Sequence, residues 1–261
     1  MNLTKNKVSG VTTGFLQEVV QLDKIEYTID MQKKLDYLAR RKLSKPLLLL
    51  SMGTAARVAG AEGTYEAVKA YLSEKERDAQ VSFTGCMGMC SAEPMMSIQI
   101  PGRNRIVLKN VTPDTVEYLL NDVFHLNVPG SHVLGQFYDE DLEVWQDAPF
   151  IHDNPFFKMQ KRIILDGCGI VDPGSIEEYI AKDGYKAFLK TIRHYTYKEI
   201  CEIIAESELR GRSGSGYPAG EKWKIAYHTP ADQKYLVCNA EESDPGAFMD
   251  RSILEGDPHA I

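Results

Sequence analysis

The sequence predicts an α/β protein with two domains. Short apolar runs of strand length alternate with helix-like segments over residues 30–126. A glycine-rich loop leads toward a helix at residues 208–223. A length of 261 residues allows two domains of ordinary size. We expect an N-terminal extension over 1–29, a first domain over 30–126, a linker over 127–157 and a second domain over 158–261.

The first domain is predicted to be thioredoxin-like from the order of its elements. Asp30 is the expected N-cap of the opening helix, and Pro46 follows its end. Two alternating runs around Pro101 indicate a hairpin, and Thr112-Pro113 is a typical helix start. The expected elements are a helix over 30–43, a strand over 47–50, a helix over 64–72, a strand over 81–84, a hairpin over 96–108 and a helix over 112–124.

The second domain is predicted to be the first part of a Rossmann-like domain. Residues 175–180 and 196–205 have helical patterns, and a further helix follows the glycine-rich loop. Tyr235–Val237 is predicted to be a buried strand, with Cys238 buried beside it. The acidic run at 139–141 is interpreted as an exposed part of the linker.

Composition limits the class of protein. Hydrophobic residues make up 43% and charged residues 26% of the chain, as in folded globular proteins. The net charge of -7 argues against nucleic acid as a partner. No apolar run approaches the roughly 20 residues that cross a bilayer, and the N-terminus lacks the apolar segment of a secretory signal. We therefore expect a cytoplasmic protein without membrane insertion.

Glycines and cations are interleaved in the loop between Glu208 and Trp223. Glycine lets a backbone approach a ligand closely, and a helix start favours anions. The combination indicates a cradle for a phosphate-bearing cofactor, with an ordinary surface turn as the alternative. The loop is not a Walker loop, and it lacks the preceding strand that a dinucleotide fingerprint requires.

Polar residues follow the predicted strand. They are Asn239, Glu241, Glu242 and Ser243. In α/β sheets, ligands bind outside the carboxyl ends of strands. Amide and hydroxyl groups can hydrogen-bond ribityl hydroxyls or ring carbonyls, and carboxylates accept from hydroxyls. Because carboxylates repel phosphate, that group is expected nearer the cations of the loop, and a plain acidic turn is the alternative.

The two segments together resemble the flavoprotein, NADH-binding subunit of respiratory complex I and its relatives in NAD(P)-linked hydrogenases and formate dehydrogenases. The family pattern Gly-Arg-Gly-Gly-x-Gly-Phe-Pro-x-Gly-x-Lys-Trp corresponds to Gly211–Trp223, and Asn-Ala-Asp-Glu-x-x-Pro-Gly corresponds to Asn239–Gly246. The match continues over 248–259. It is dense over 155–261 and looser over 45–126.

This resemblance implies FMN and NAD(P) as cofactors. The implied FMN contacts are Gly211, Arg212, Gly214, Gly216, Lys222, Asn239, Glu241, Glu242 and Ser243. Tyr217 stands where the family has an aromatic residue that stacks on the dinucleotide. Hydride would pass from NAD(P)H to FMN and single electrons would pass on to iron–sulfur clusters, or the reverse, with no side chain as catalytic acid or base. Ser213 and Ser215 depart from the family pattern by replacing a glycine and a small residue.

Cys86 and Cys90 resemble the second half of a family site for a 2Fe–2S cluster. The first cysteine pair of that site is replaced here by Ser51 and Ala56. Such a cluster takes four thiolates or a substitute such as histidine. We therefore expect a remnant pair without a 2Fe–2S cluster. The alternatives are a cluster completed by other ligands and a thiol–disulfide pair.

The resemblance also implies partners and missing parts. Iron–sulfur and catalytic subunits of a multi-subunit redox complex are the expected partners. A 4Fe–4S cluster is expected only in a part of the family that would follow Ile261, so the chain is expected to be a fragment. The rival hypotheses are a structural subunit that has lost its cofactor sites and a free thioredoxin-like thiol protein.

Overall fold

A computed structural model describes residues 28–212 and 214–261. The chain divides into two compact units. The first combines the described residues up to Lys182 with Glu241–Ile261, and the second comprises Asp183–Ala240. The predicted N-terminal extension lies, up to residue 27, outside the described residues. The predicted domain boundaries stay a prediction.

The first unit is built around a mixed five-stranded sheet. Its strands are β1 (Leu47–Ser51), β2 (Gln80–Thr84), β3 (Met96–Gln99), β4 (Ile106–Leu108) and β5 (Val133–Gln136). The spatial order is β2-β1-β3-β4-β5, with β1 and β2 parallel and the other neighbours antiparallel. A parallel pair joined by a helical crossover and followed by a hairpin is the predicted thioredoxin-like topology. The predicted α/β class and this topology are confirmed.

The helices are short, and several of them follow a residue that is typical of helix N-caps. In chain order they are α1 (Ile29–Leu38), α2 (Thr54–Val58), α3 (Ala61–Glu74), α4 (Pro113–Phe124), α5 (Pro155–Lys158), α6 (Ile176–Ala181), α7 (Lys186–His194), α8 (Tyr197–Glu206), α9 (Ala219–His228) and α10 (Met249–Gly256). Helix α4 confirms its prediction, because Pro113 is its first residue and Thr112 and Thr115 form a capping box. The predicted cap of α1 is wrong. Thr28, which is extended, accepts a hydrogen bond from the Met31 amide at 3.2 Å, and Asp30 lies in the first turn.

Two apolar cores cover the two faces of the sheet. The first lies against α3 and α4, where Leu48 and Ile106 pack with Val68 and Leu119. The second contains Val107, whose side chain points to the opposite face because successive strand residues alternate. This second core is formed by Met87, Ala92, Met95, Val107, Leu134 and Ile151.

Strand β5 lies inside the segment that the sequence predicts as a linker. A Cβ at Gly135 would lie 3.0 Å from the Cα of Ile151, so glycine permits close packing there. The buried Gln136 amide donates to the carbonyls of Trp145 and Ala148 at 2.7 and 2.6 Å. The strand was missed because a glycine and a buried glutamine break the apolar alternation that predicts strands.

Helix α10 belongs to the first unit although it follows the second unit in sequence. The Thr54 amide donates to Glu255 Oε2 at 2.8 Å. A Cβ at Gly85 would lie only 2.2 Å from the Cα of Gly256, so the two backbones are in close contact. Helix α10 therefore packs on residues that precede the second unit in sequence.

The second unit contains α7, α8 and α9 in its described residues, and no strand longer than an isolated bridge. Helices α8 and α9 pack together, and a Cβ at Gly220 would lie 2.4 Å from the Cα of Ala205. The predicted strand at Tyr235–Val237 is wrong. These side chains are 81–101% exposed, and a strand without a neighbour leaves its backbone groups unpaired. Cys238 is likewise exposed rather than buried.

Candidate functional site

The glycine-rich loop is closed by hydrogen bonds at its base. The Gly211 amide donates to the carbonyl of Tyr217 at 2.9 Å, and the Ala219 amide donates to the carbonyl of Leu209 at 2.8 Å. An Arg210 Nη1 donates to the Gly216 carbonyl at 3.1 Å from inside the same loop. The loop therefore has a defined base that leads directly into α9.

Two glycines of the loop adopt left-handed backbone conformations. Gly214 has φ +92° and Gly216 has φ +62°. A Cβ at either position would meet no heavy atom within 4 Å. Glycine is therefore required by the backbone conformation, because a side chain at either position would have enough space. The same open space lets a ligand approach the backbone. Ser213, one of the two departures from the family pattern, lies outside the described residues.

The charged and aromatic side chains of the loop face solvent. Arg212 and Lys222 are exposed, and neither forms an ion pair with another residue in the described parts of the chain. Lys222 lies in the first turn of α9, where backbone amides and the helix dipole favour an anion. Tyr217 is half exposed, so its ring face is accessible for stacking. These features fit the phosphate end of a cofactor such as FMN.

The polar residues after position 238 do not all belong to one unit. Asn239 lies in the second unit, whereas Glu241, Glu242 and Ser243 lie in the first. Glu242 accepts hydrogen bonds from the amides of Asp250 and Arg251 at 2.9 and 3.1 Å, and thereby caps α10. Partial burial would raise the pKa of Glu242, but these amides outweigh it and hold the pKa below its usual range. Its carboxylate therefore has a structural role within the first unit.

The cysteine pair lies beside a buried carboxylate. The Sγ atoms of Cys86 and Cys90 are 4.0 Å apart, and the Gly88 amide donates to Cys86 Sγ at 3.2 Å. The hydroxyl of Ser51 donates to Glu93 Oε1 at 2.8 Å, and the Cys86 thiol also hydrogen-bonds this carboxylate. The structure thus brings Ser51, predicted to replace a cluster ligand, to the same place as Cys86.

Glu93 is the residue of this group that no sequence pattern singled out. An acidic residue between Ala92 and Pro94 in an apolar stretch is the signal that could have revealed it. Burial raises the pKa of Glu93, although its hydrogen bonds with Ser51, Cys86 and the Met95 amide oppose the shift. Burial and the charge of Glu93 raise the pKa of the Cys86 thiol. Both causes favour the neutral form of the Cys86 thiol.

The described residues contain neither a metal-binding cluster nor a membrane span. No group of three or more histidine, cysteine, aspartate or glutamate side chains among residues 28–212 and 214–261 is arranged to hold a metal ion. In the same residues, no helix is long and apolar enough to cross a membrane. The expected absence of a 2Fe–2S cluster stays a prediction.

A protein-family model matches the part of the chain that contains the loop. Residues 204–261 match the Nuo51 FMN-binding domain. This match begins in α8 and includes the whole glycine-rich loop. The resemblance predicted from Gly211–Trp223 and Asn239–Gly246 is therefore confirmed.

Part of the chain is also similar to individual proteins. The chain is 51% identical to the NADP-reducing hydrogenase subunit HndC of Solidesulfovibrio fructosivorans over 104 residues, 40% of this chain and 21% of that protein. It is 42% identical to an NADH-quinone oxidoreductase subunit of Rhizobium meliloti over 103 residues, 40% of this chain and 24% of that protein. The matched part of the chain thus spans about a fifth to a quarter of the length of these relatives.

One solved structure resembles part of the chain. A thioredoxin-like 2Fe–2S ferredoxin from Aquifex aeolicus matches 39% of this chain and all of its own length, with 11% identity and a TM-score of 0.32. At this TM-score the likeness adds nothing to the assignment, which rests on the strand order of the sheet.

Proposed function

We propose that this chain is part of the electron-input flavoprotein subunit of a multi-subunit, NAD(P)-linked oxidoreductase. The observation that carries the proposal is the coincidence of the FMN-binding-domain match at 204–261 with a closed loop that contains two left-handed glycines and two exposed cations. The relatives, subunits of NADP-reducing hydrogenase and of NADH-quinone oxidoreductase, support the same class of reaction.

Each part of the loop has a distinct task in this proposal. The left-handed turns at Gly214 and Gly216 present backbone groups without side chains in front of them. Arg212 and Lys222 neutralise a phosphate, and Tyr217 offers a ring face for the nicotinamide dinucleotide. Asn239 supplies an amide that can bond a hydroxyl or a carbonyl. Glu241, Glu242 and Ser243 are retained as proposed FMN contacts, with Glu242 also capping α10.

FMN, when bound, accepts hydride from NAD(P)H and releases electrons singly. The chain contributes positioning and electrostatics and needs no catalytic acid or base. The proposed electron acceptors are iron–sulfur and catalytic subunits of the same complex. The Cys86–Cys90 pair is proposed not to carry a 2Fe–2S cluster.

The test is the flavin content of the complex that contains this chain. We expect a yellow preparation that releases FMN on denaturation. Arg212→Gln and Lys222→Gln each remove a charge-assisted contact and are expected to weaken FMN binding about tenfold. Binding is measured by fluorescence titration after removal of the flavin.

A matched pair of glycine variants tests the role of the backbone. Gly214→Ala and Gly102→Ala both place a side chain at a left-handed position, with φ +92° and +80°. Gly102 lies in the β3–β4 hairpin, so only Gly214→Ala is expected to reduce the FMN content. An intact complex without flavin would overturn the proposal and favour the structural-subunit alternative.

A further inference from the structure

The first unit contains a cavity with a volume of about 530 Å³ on the side of the second core. Met87, Ile151 and Phe157 are common to the wall of the cavity and to this core or its rim. The cavity is separate from the glycine-rich loop, because its wall lies entirely within residues 39–182. The function proposed above does not use it.

Positive charge is concentrated in the wall of this cavity. Arg40, Arg105, Arg162 and Lys182 all line it. Arg40 is neutralised by Glu178, whose Oε2 accepts from Nη2 at 2.7 Å. The other three cations have no carboxylate within 4.0 Å among the residues that the structure describes. Three cations without an ion-pair partner among the described residues therefore line a partly apolar cavity.

Several donors in the wall are buried and have no hydrogen-bond partner. They are Nδ2 of Asn104, Nη1 of Arg105 and Nε of Arg162. Asn104 is 1% and Arg105 is 7% exposed. Buried donors are almost always paired, and a buried charge without a partner is costly. The concentration of such donors around one cavity is typical of a site built for an anion.

The two arginines are held in fixed positions. The guanidinium of Arg105 stacks on the Phe137 ring, with its Cζ 4.1 Å from the ring centroid. Arg162 donates to the carbonyls of Met87, Leu165 and Cys168 at 3.2, 2.6 and 3.1 Å. The contacts of Arg162 leave its Nε without a partner, and the stack on Phe137 holds Arg105 while its Nη1 stays without one. The side chains are thus preorganised, which lowers the entropy lost on binding.

Two carboxylates in the wall, Asp139 and Asp166, offset only part of the charge of its four cations. Asp139 Oδ1 accepts from the Asp141 amide at 3.0 Å and so forms part of its own turn. Asp166 lies near enough to Lys182 to favour its charged form. Desolvation lowers the pKa of Lys182. The negative charge of Asp166 raises this pKa, whereas the positive charges of Arg105 and Arg40 lower it further. Burial, with Arg40 nearby, also lowers the pKa of Arg105. Arg40 and Arg105 therefore lie near enough to Lys182 to disfavour its charge.

We propose that this cavity binds an organic phosphate about the size of a mononucleotide. Guanidinium groups match the geometry of phosphate oxygens, and a phosphate monoester carries a charge of about -1.5 to -2 at neutral pH. The volume lies in the range of about 300–1,000 Å³ that is typical of small-molecule sites, so it exceeds what inorganic phosphate fills. Met87, Ile151 and Phe157 provide the apolar wall for the organic part.

Calorimetric titration of the full chain with adenosine monophosphate (AMP) tests this proposal. We expect one AMP to bind in the cavity, inorganic phosphate to bind more weakly, and adenosine not to bind. Arg105→Met and Lys182→Gln are each expected to weaken AMP binding about tenfold. Lys45→Gln, on an exposed lysine paired with Asp78, is the matched control and is expected to change nothing.

Two more measurements distinguish a phosphate site from a purely structural cluster of cations. Because Arg105→Met removes an uncompensated buried charge, it is expected to keep or raise the melting temperature of the ligand-free protein. If Arg105 were only structural, the variant would melt earlier and AMP binding would be unchanged. Arg212→Gln distinguishes the two proposed sites, because it should weaken FMN binding and leave the AMP site in the cavity intact. Failure of AMP to bind, or equal binding of adenosine, would overturn the proposal.

Discussion

Short apolar runs have opposite environments in the two units. Leu47–Leu50 form the central strand β1, and Leu48 is 0% exposed, whereas Leu236 in the second unit is 101% exposed. Both runs are short and apolar, and the sequence predicts a strand for each. Strand β1 has neighbours on both sides, β2 and β3, while residues 235–237 have none in the described part of the chain. An apolar run becomes a strand only where another strand pairs with its backbone.

The largest expected effect comes from the same substitution in each run. Leu48→Ala should lower the free energy of unfolding by about 2–5 kcal/mol, because it opens a cavity in the core. Leu236→Ala should change it by less than about 0.5 kcal/mol, since it removes no buried contact. Denaturant unfolding of the full chain measures both. A large decrease in the free energy of unfolding for Leu236→Ala would mean that residues 235–237 are buried in solution. The two apolar runs would then have the same environment.

A smaller effect is expected where backbones meet closely in each unit. Gly85→Ala and Gly220→Ala place a methyl group 2.2 and 2.4 Å from a backbone Cα, and overpacking of this kind typically costs about 1–3 kcal/mol. Amide hydrogen exchange should accelerate in α10 for Gly85→Ala and in α8 and α9 for Gly220→Ala. Equal acceleration in both units for either variant would contradict the division into two compact units.

The smallest expected effect is a change in pH dependence in the first unit. Because the folded protein raises the pKa of Glu93 above its ordinary value of 4.5, the folded state holds this proton more tightly. The stability that this proton contributes to the folded state is present below pH 4.5. It is lost as the pH rises through the pKa of Glu93 in the folded protein. Glu93→Gln cannot lose a proton, so its stability relative to wild type should increase from acid to neutral pH.

Denaturant unfolding over a pH series measures this difference. The side chain in Glu93→Gln keeps one acceptor oxygen for the two donors Ser51 and Met95, which adds an offset that does not depend on pH. Glu66→Gln is the control, because that exposed carboxylate only pairs with Lys69 at 3.1 Å. Parallel curves for wild type and Glu93→Gln would show that Glu93 is ionised with its ordinary pKa.

The fold could be predicted where a local signal and a tertiary partner agreed. Thr112 and Pro113 predicted α4 to the residue, and Pro101-Gly102 marked the β3–β4 turn. The prediction failed where the deciding contact lies far away in sequence. Strand β5 depends on pairing with β4, where Gln136 lies opposite Ile106, and the run at 235–237 has no neighbouring strand among the described residues; neither fact has a local signal.

The same limit applies to the candidate sites: the sequence reveals residues that are contiguous, but not residues that meet only in the folded protein. The glycine-rich loop was found from sequence because its cations and glycines are contiguous. The cavity was missed because Arg105, Arg162 and Lys182 come from distant segments and meet only in the folded unit. An arginine directly before the apolar run Ile106–Leu108 is the one local hint, since a charge there must be paired, exposed or functional.

The return of α10 to the first unit has a consequence for synthesis. A ribosome releases the strands of the sheet long before it releases Glu255 and Gly256, which contact Thr54 and Gly85. The whole second unit emerges in between. Domains generally fold as units while the chain emerges, but this unit cannot be completed until the second has left the exit tunnel. Its surface around Gly85 is therefore open to chaperones while the second unit is synthesised.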